Sequence, residues 1–239
     1  LYRHEYRTTR KSNRNNTSTA KVRILSISFF LMAKAIIFDA DGVVIDSLPP
    51  NIEVWKKIFE RHGLRFLIDI KEASGRSTED IARIALKNNG IDDPLLLEQI
   101  VREKKEMDPW VIENTGLVDG IRELLEYLKN KDYAIALASS GRRERIIPTL
   151  IRQGIEKYFD ILVFIDEVQH PKPEPDLFLL AAHKLGVSPE QCIVIEDSIH
   201  GVIAARKAGM KPVALANSIP REDFRIVEGV IIVDSLQEV

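Results

Sequence analysis

Short apolar runs recur along this chain, and each stops abruptly at polar or small residues. The first covers Ala33 to Phe38 and ends at Asp39; others cover Ala134–Ala138, Ile161–Ile165, Cys192–Ile195, Lys211–Leu215 and Val230–Val233. Runs of this length suit strands buried on both faces, as a parallel sheet requires. Between the later runs, apolar residues fall at helical spacing over Val118–Lys129, Leu177–Leu185 and Ile199–Ala208, with Gly209 as a stop signal. Another helix ends near Gln153-Gly154, and Pro148 limits its start or kinks it. Strands alternating with helices predict an α/β fold with a doubly wound parallel sheet.

One stretch breaks the alternation. In Pro49–His62 the residues Ile52, Trp55, Ile58 and Phe59 share a helical face, and Gly63 closes the segment. Ser77 opens a second helix that runs to about Asn89, with Asp80 placed to complete a capping box. Pro94 starts a third, Leu95 to about Met107. No strand separates them. Residues 48–115 therefore form an all-helical insertion, dividing a core made of 32–47 and 116–239.

Composition narrows the function. At 239 residues and 45% hydrophobic, the chain can bury a substantial core. The net charge of −2 divides unevenly: residues 1–31 hold seven Lys/Arg against one Glu, leaving −8 for the rest. A body that acidic argues against nucleic-acid binding. Cys192 is the single cysteine, so no intrachain disulfide forms, and a cytoplasmic setting is expected. No apolar run reaches the ~18–20 residues of a membrane span. Residues 1–31 are expected to be a disordered extension, since residues 1–23 are almost free of apolar side chains. The apolar stretch Ile24–Met32 superficially resembles a signal peptide, but cleavage there would fall against the first strand, and Met32-Ala33-Lys34 reads as a natural start.

Candidate chemistry gathers at the strand ends, which in open α/β sheets face one crevice. Asp39 follows the first strand directly, and Asp41 points the same way if the backbone stays extended. Two carboxylates this close call for a shared cation or proton. The second run ends in Ser139, a hydroxyl beside the backbone N–H groups of Ser140 and Gly141. Lys172 sits between Pro171 and Pro173 in the loop after the third run, and the fourth run ends in Glu196-Asp197. Each taken alone suits turn, cap or surface chemistry. Together, at four successive strand ends, they supply carboxylates for a hard cation and donors for anionic oxygens.

The ordered motifs DADG, ALAS, PKPEPD and VIEDSIHGVIAARKAG strongly resemble the haloacid dehalogenase superfamily of phosphohydrolases, over about Ala33 to Val233. The helical insertion resembles the cap of its β-phosphoglucomutase and phosphoglycolate phosphatase branch. The resemblance implies Asp39 as the nucleophile that takes the phosphoryl group and Asp41 as the acid and then the base. It implies Mg²⁺ held by the Asp39 carboxylate, the Asp41 backbone carbonyl and Asp197, with Glu196 in support. Ser139, Ser140 and Lys172 would hold phosphoryl oxygens. The dehalogenases of the superfamily lack a second aspartate, which is present here, and Lys56 and Lys57 give no match to the Schiff-base lysine of phosphonate hydrolases.

Within the branch a phosphatase is favoured, and a phosphosugar mutase is the alternative. Asn51 stands where the mutase has a hinge histidine, and Thr78 where it has an arginine for the second phosphate. Arg76, in the turn Gly75-Arg76-Ser77, and Arg142 remain candidate substrate contacts, with Arg143 beside them. The expected partner is a small phosphorylated metabolite, acted on by a monomer or homodimer. A receiver-type phosphoacceptor is about half this length and lacks the insertion. A retired binding module has no chemical reason to keep Asp39, Asp41, Ser139, Lys172 and Asp197 together.

Overall fold

The computed structural model describes residues 33–73 and 75–239. The extension expected over residues 1–31 therefore lies outside the described residues. Strand β1 (Ala35–Phe38) lies at the centre of the sheet, fully buried on both faces. A tight loop follows, in which Gly42 N–H donates to the Ile45 carbonyl, and it leads into the two-residue strand β2 (Ile45–Asp46).

From there the chain runs through five helices: α1 (Leu48–Arg61), α2 (Ile70–Ala73), α3 (Thr78–Asn88), α4 (Pro94–Glu106) and α5 (Asp108–Asn114). Their apolar stripes converge on a cluster of their own, with Trp55 and Phe59 of α1 against Leu86, Ile100 and Val111. Phe66 stacks on Trp55, the ring centroids 5.7 Å apart. At the start of α3 the Ser77 hydroxyl accepts from Asp80 N–H at 3.2 Å and donates to the Asp80 carboxylate at 2.8 Å. The cap forms, but Asp80 meets the serine hydroxyl rather than its backbone N–H. Two helices escaped the sequence pattern. α2 has a single turn, and α5 begins one residue after α4 ends, with Pro109 in its first turn.

The chain returns through β3 (Gly116–Leu117), which pairs antiparallel with β2: Ile45 stands opposite Leu117 and Asp46 opposite Gly116. Sheet and helices then alternate as expected: α6 (Ile121–Asn130), β4 (Ala134–Ser139), α7 (Arg143–Arg152), β5 (Ile161–Phe164), α8 (Asp176–Leu185), β6 (Cys192–Glu196), α9 (Ile199–Lys207), β7 (Lys211–Leu215) and β8 (Ile231–Val233). The six long strands pair side by side, all parallel, in the order β5-β4-β1-β6-β7-β8. One face is covered by α8 and α9, where Phe178, Ala181, Ala204 and Ala205 pack on Ile37, Ala136 and Val194.

α7 runs unbroken through Pro148. The proline lies on its exposed face, so the carbonyl that loses an N–H partner there faces water.

Candidate active site

Because every long strand runs the same way, their carboxyl ends open on one edge, with β1 between β4 and β6. Asp39 leaves β1 with its N–H donated to the Ile195 carbonyl of β6 at 3.0 Å, which fixes it at the floor of that edge. Lys172, in the loop between β5 and α8, reaches across beneath it. Its ammonium donates to Asp39 Oδ1 at 2.5 Å, Glu196 Oε1 at 2.8 Å and the Ala138 carbonyl at 3.3 Å. All three ammonium hydrogens are used, and the Phe178 ring lies 4.7 Å away. Lys172 is 4% exposed and Glu196 fully buried, so this is an interior ion cluster.

Three carboxylates, from Asp39, Glu196 and Asp197, bring one oxygen each within 4.8 Å of one another. Against them stands the Lys172 ammonium, so three carboxylates without protons would leave two negative charges in a buried space. Hard oxygen donors with that charge deficit fit a divalent cation such as Mg²⁺. The surroundings keep room for it. Gly42 has φ +85°, and a Cβ there would fall 2.0 Å from Asp197 Oδ2. A Cβ on Gly201, in the first turn of α9, would fall 1.7 Å from Glu196 Oε1. Each glycine thus makes space for a carboxylate.

The protonation equilibria follow from this crowding. Burial raises Asp39 to about 7, against the opposing pull of Lys172 and with a further push from Glu196. Burial, then Glu196 and Asp39, raise Asp197 well above the ordinary carboxylate value. Burial would depress Lys172, but Asp39 and Glu196 outweigh it and hold the ammonium charged.

Asp197 also accepts from the Ser218 hydroxyl at 2.6 Å, and Asn217 Nδ2 donates to the Gly42 carbonyl at 3.0 Å. The segment after β7 thereby ties together the loops after β1 and β6, a contribution sequence reasoning missed. The Ser139 hydroxyl accepts from Gly141 N–H at 2.9 Å. Ser140 Oγ is buried and has no hydrogen-bond partner among the described residues, an orphaned polar atom just past the end of β4.

Asp41 is placed differently from Asp39. Its Oδ1 accepts from the Ser47 hydroxyl and from Arg145 Nη1 at 2.9 Å, while its Oδ2 accepts from Arg145 Nη2 at 2.6 Å. Burial alone would raise Asp41, but the Arg145 guanidinium and its hydrogen bonds outweigh that, and the carboxyl lies below its usual value.

Arg145 was not among the residues expected from the sequence, nor were Lys104 and Asp108. Lys104 of α4 is buried and bonds Asp108 at 3.6 Å, and Asp108 is also paired with Arg142. Burial lowers Lys104 to about 8 despite Asp108. The helical excursion therefore meets the sheet edge through charged side chains. A signal for them existed. Arg145 shares the buried face of α7 with Ile146, Thr149 and Leu150, and Lys104 stands four residues after buried Ile100. A charge on an apolar stripe is the readable feature.

Of the other expected contacts, Arg142 lies in this cluster. Arg76 donates to the Glu72 carbonyl at 2.7 Å and approaches His200 Nε2 at 3.4 Å. Asn51 donates to the Ser47 carbonyl at 2.8 Å, a bond within the first turn of α1. Arg143 pairs with Glu167 at 3.0 Å.

The chain matches a family profile described as haloacid dehalogenase-like hydrolase over residues 36–215. It is 34% identical over 181 residues to a phosphorylated carbohydrates phosphatase of Thermotoga maritima, covering 74% of this chain and 82% of that one. It is 35% identical over 184 residues to a fructose-1-phosphate phosphatase of Escherichia coli, covering 74% and 94%. The structure aligns with that of a β-phosphoglucomutase from Clostridium difficile at a TM-score of 0.75 and 27% identity, covering 87% and 93%. With the profile spanning most of its length, the chain belongs to the haloacid dehalogenase-like hydrolases, as an enzyme of the branch that holds both phosphatases and β-phosphoglucomutases.

Proposed function

We propose that this enzyme hydrolyses a small phosphorylated carbohydrate or related phosphate monoester through a phosphoryl group carried on Asp39. The observation that carries the reading is the buried Lys172, bonded to Asp39 and Glu196 beside Asp197. A nucleophilic carboxylate fixed by an ammonium, next to donors for a divalent cation, suits attack on a phosphorus already crowded with negative charge. The phosphatases at 34% and 35% identity support the substrate class.

In this reading an Asp39 carboxylate oxygen attacks phosphorus, and the bond from phosphorus to the ester oxygen breaks. Asp41, away from Arg145 and in the protonated form that the second step regenerates, gives that leaving oxygen its proton. Water then attacks the same phosphorus, Asp41 takes its proton, and the bond to Asp39 breaks to release inorganic phosphate. The hydroxyls of Ser139 and Ser140 hold the transferring oxygens, joined by Lys172 in place of its 3.3 Å bond to the Ala138 carbonyl, and Lys172 also balances the carboxylates. Asp39, Asp197 and the Asp41 backbone carbonyl, with Glu196 in support, would hold Mg²⁺, which would supply charge neutralisation of the phosphoryl oxygens. The helices over residues 48–115 act as a cap whose side chains choose the alcohol part. Their charged contact at Asp108 and Arg142 and the approach of Gly75 to Ser198 support that role.

A screen of phosphate monoesters, including phosphoglycolate, hexose phosphates and nucleotides, tests the proposal. Release of inorganic phosphate with Mg²⁺ and none with chelator is expected, greatest on a carbohydrate ester. Conversion of one hexose phosphate into its isomer without phosphate release would mark a mutase and refute hydrolysis.

A second expectation concerns pH. Below about 7 Asp39 holds a proton that the cation must displace. The rise in thermal midpoint on adding Mg²⁺ should therefore be large at pH 8 and small at pH 5.5. Thermal unfolding with and without Mg²⁺ at the two pH values measures this. An equal rise at both would separate the cation from Asp39.

A further inference from the structure

Asp41 is held in a manner that its proposed duty must undo. A guanidinium fork on both oxygens matches a carboxylate, not a carboxylic acid, and it aims the group at α7. The pair is built in. Arg145 is 8% exposed, and a Cβ on Gly141 would fall 2.6 Å from Arg145 Nη2 and 3.0 Å from Asp41 Oδ2. The bare glycine makes room for both partners. Arg145 also shares its surroundings with the buried Lys104 and with Asp108, which is already paired to Lys104 and Arg142. Were Asp41 simply to swing away, Arg145 would face Lys104 with a buried charge uncompensated. Something bearing oxygen must replace the carboxylate.

We propose that Arg145 is a positioning residue that parks Asp41 and yields it only to a substrate whose own hydroxyl or anionic oxygens take over the guanidinium. The inference rests on the phosphatase reading above and adds a selection rule to it. Esters of polyols, long enough to reach Arg145 from the phosphoryl site, release their own acid–base catalyst. Esters without such oxygens leave Asp41 parked and turn over slowly.

The test compares Arg145→Met and Arg145→Lys with the parent chain, using Mg²⁺, the best carbohydrate phosphate from the screen and p-nitrophenyl phosphate. Losing a charged hydrogen bond to substrate should lower kcat/KM for the carbohydrate phosphate ~10–100-fold in the methionine variant. Turnover of p-nitrophenyl phosphate should rise, by up to ~10-fold, because Asp41 is no longer parked. The lysine variant, which keeps the charge but not the fork, should restore part of the preference. It also decides the question should the methionine variant not fold, as a circular dichroism melt would reveal. Equal losses on both substrates, or an unchanged preference in the folded variants, would overturn the proposal. A parent chain inactive on every ester would instead refute the phosphatase reading, and the parking role with it.

Discussion

Asp39→Asn is expected to abolish turnover, by at least ~10⁴-fold, while the protein stays folded. The amide is nearly isosteric with the carboxylate but has no anionic oxygen to attack phosphorus. Stability should survive for a reason visible in the ion cluster. Lys172 keeps Glu196 and the Ala138 carbonyl when Asp39 is neutralised. The sign of the linkage points the same way. Asp39 is raised to about 7 by burial, so above pH 7 its ionised form opposes folding of the metal-free chain, and that opposition fades as pH falls and a proton binds. An amide removes it. The metal-free variant at pH 8 should thus melt no lower than the parent. Rapid-quench assay for a protein-bound phosphoryl group, with a melting curve beside it, measures both parts. Near-normal activity with contamination excluded would remove Asp39 as nucleophile.

Asp41→Asn should be nearly as damaging, but selectively. A positioned acid–base contributes on the order of 10²–10⁴-fold, and alkyl phosphates need both of its proton transfers. An ester with a good leaving group, such as p-nitrophenyl phosphate, needs little protonation, so its first step should suffer less. Water still lacks a base in the second step. Phosphoryl-enzyme should then accumulate as a burst before slow steady release. Because the proposed contribution of Asp41 to Mg²⁺ runs through its backbone carbonyl, calorimetric Mg²⁺ affinity should persist. Equal impairment of both first steps, or lost affinity, would make Asp41 chiefly a metal ligand.

The sheet was legible because each strand is a short apolar run with a polar stop, and such runs have few other ways to be buried. β1 coincides with the apolar run Ala35–Phe38 inside the strand expected over Ala33–Phe38. The ribbon of β2 and β3 was not legible: two residues have no period. Pro148 lies inside the helix rather than at its start, which the apolar spacing does not settle. At the site, Asp39, Ser139, Lys172, Glu196 and Asp197 stood out because topology alone brings strand ends to one edge. Arg145, Lys104 and Asp108 did not, since the contacts that bring them to the edge, Arg145 to Asp41 and Asp108 to Arg142, join distant parts of the chain. Arg145 reaches Asp41 over 104 residues of sequence. A charge in a helix reads first as solvated, and its place on an apolar stripe was the sign that read otherwise.

The ribbon has a consequence for how such a chain can vary. The polypeptide leaves this ribbon at Asp46 and rejoins it at Gly116, and those residues are direct partners. Antiparallel partners stand only ~5 Å apart. Everything between them is topologically a closed detour. A different set of helices, longer or shorter, can be spliced between the same two points without rerouting a strand or moving a residue on the sheet's reactive edge. In the proposed reading, the helices' share in choosing the alcohol and the breaking of the bond are thus written in separable parts of the gene, and the first is free to drift while the second stands still.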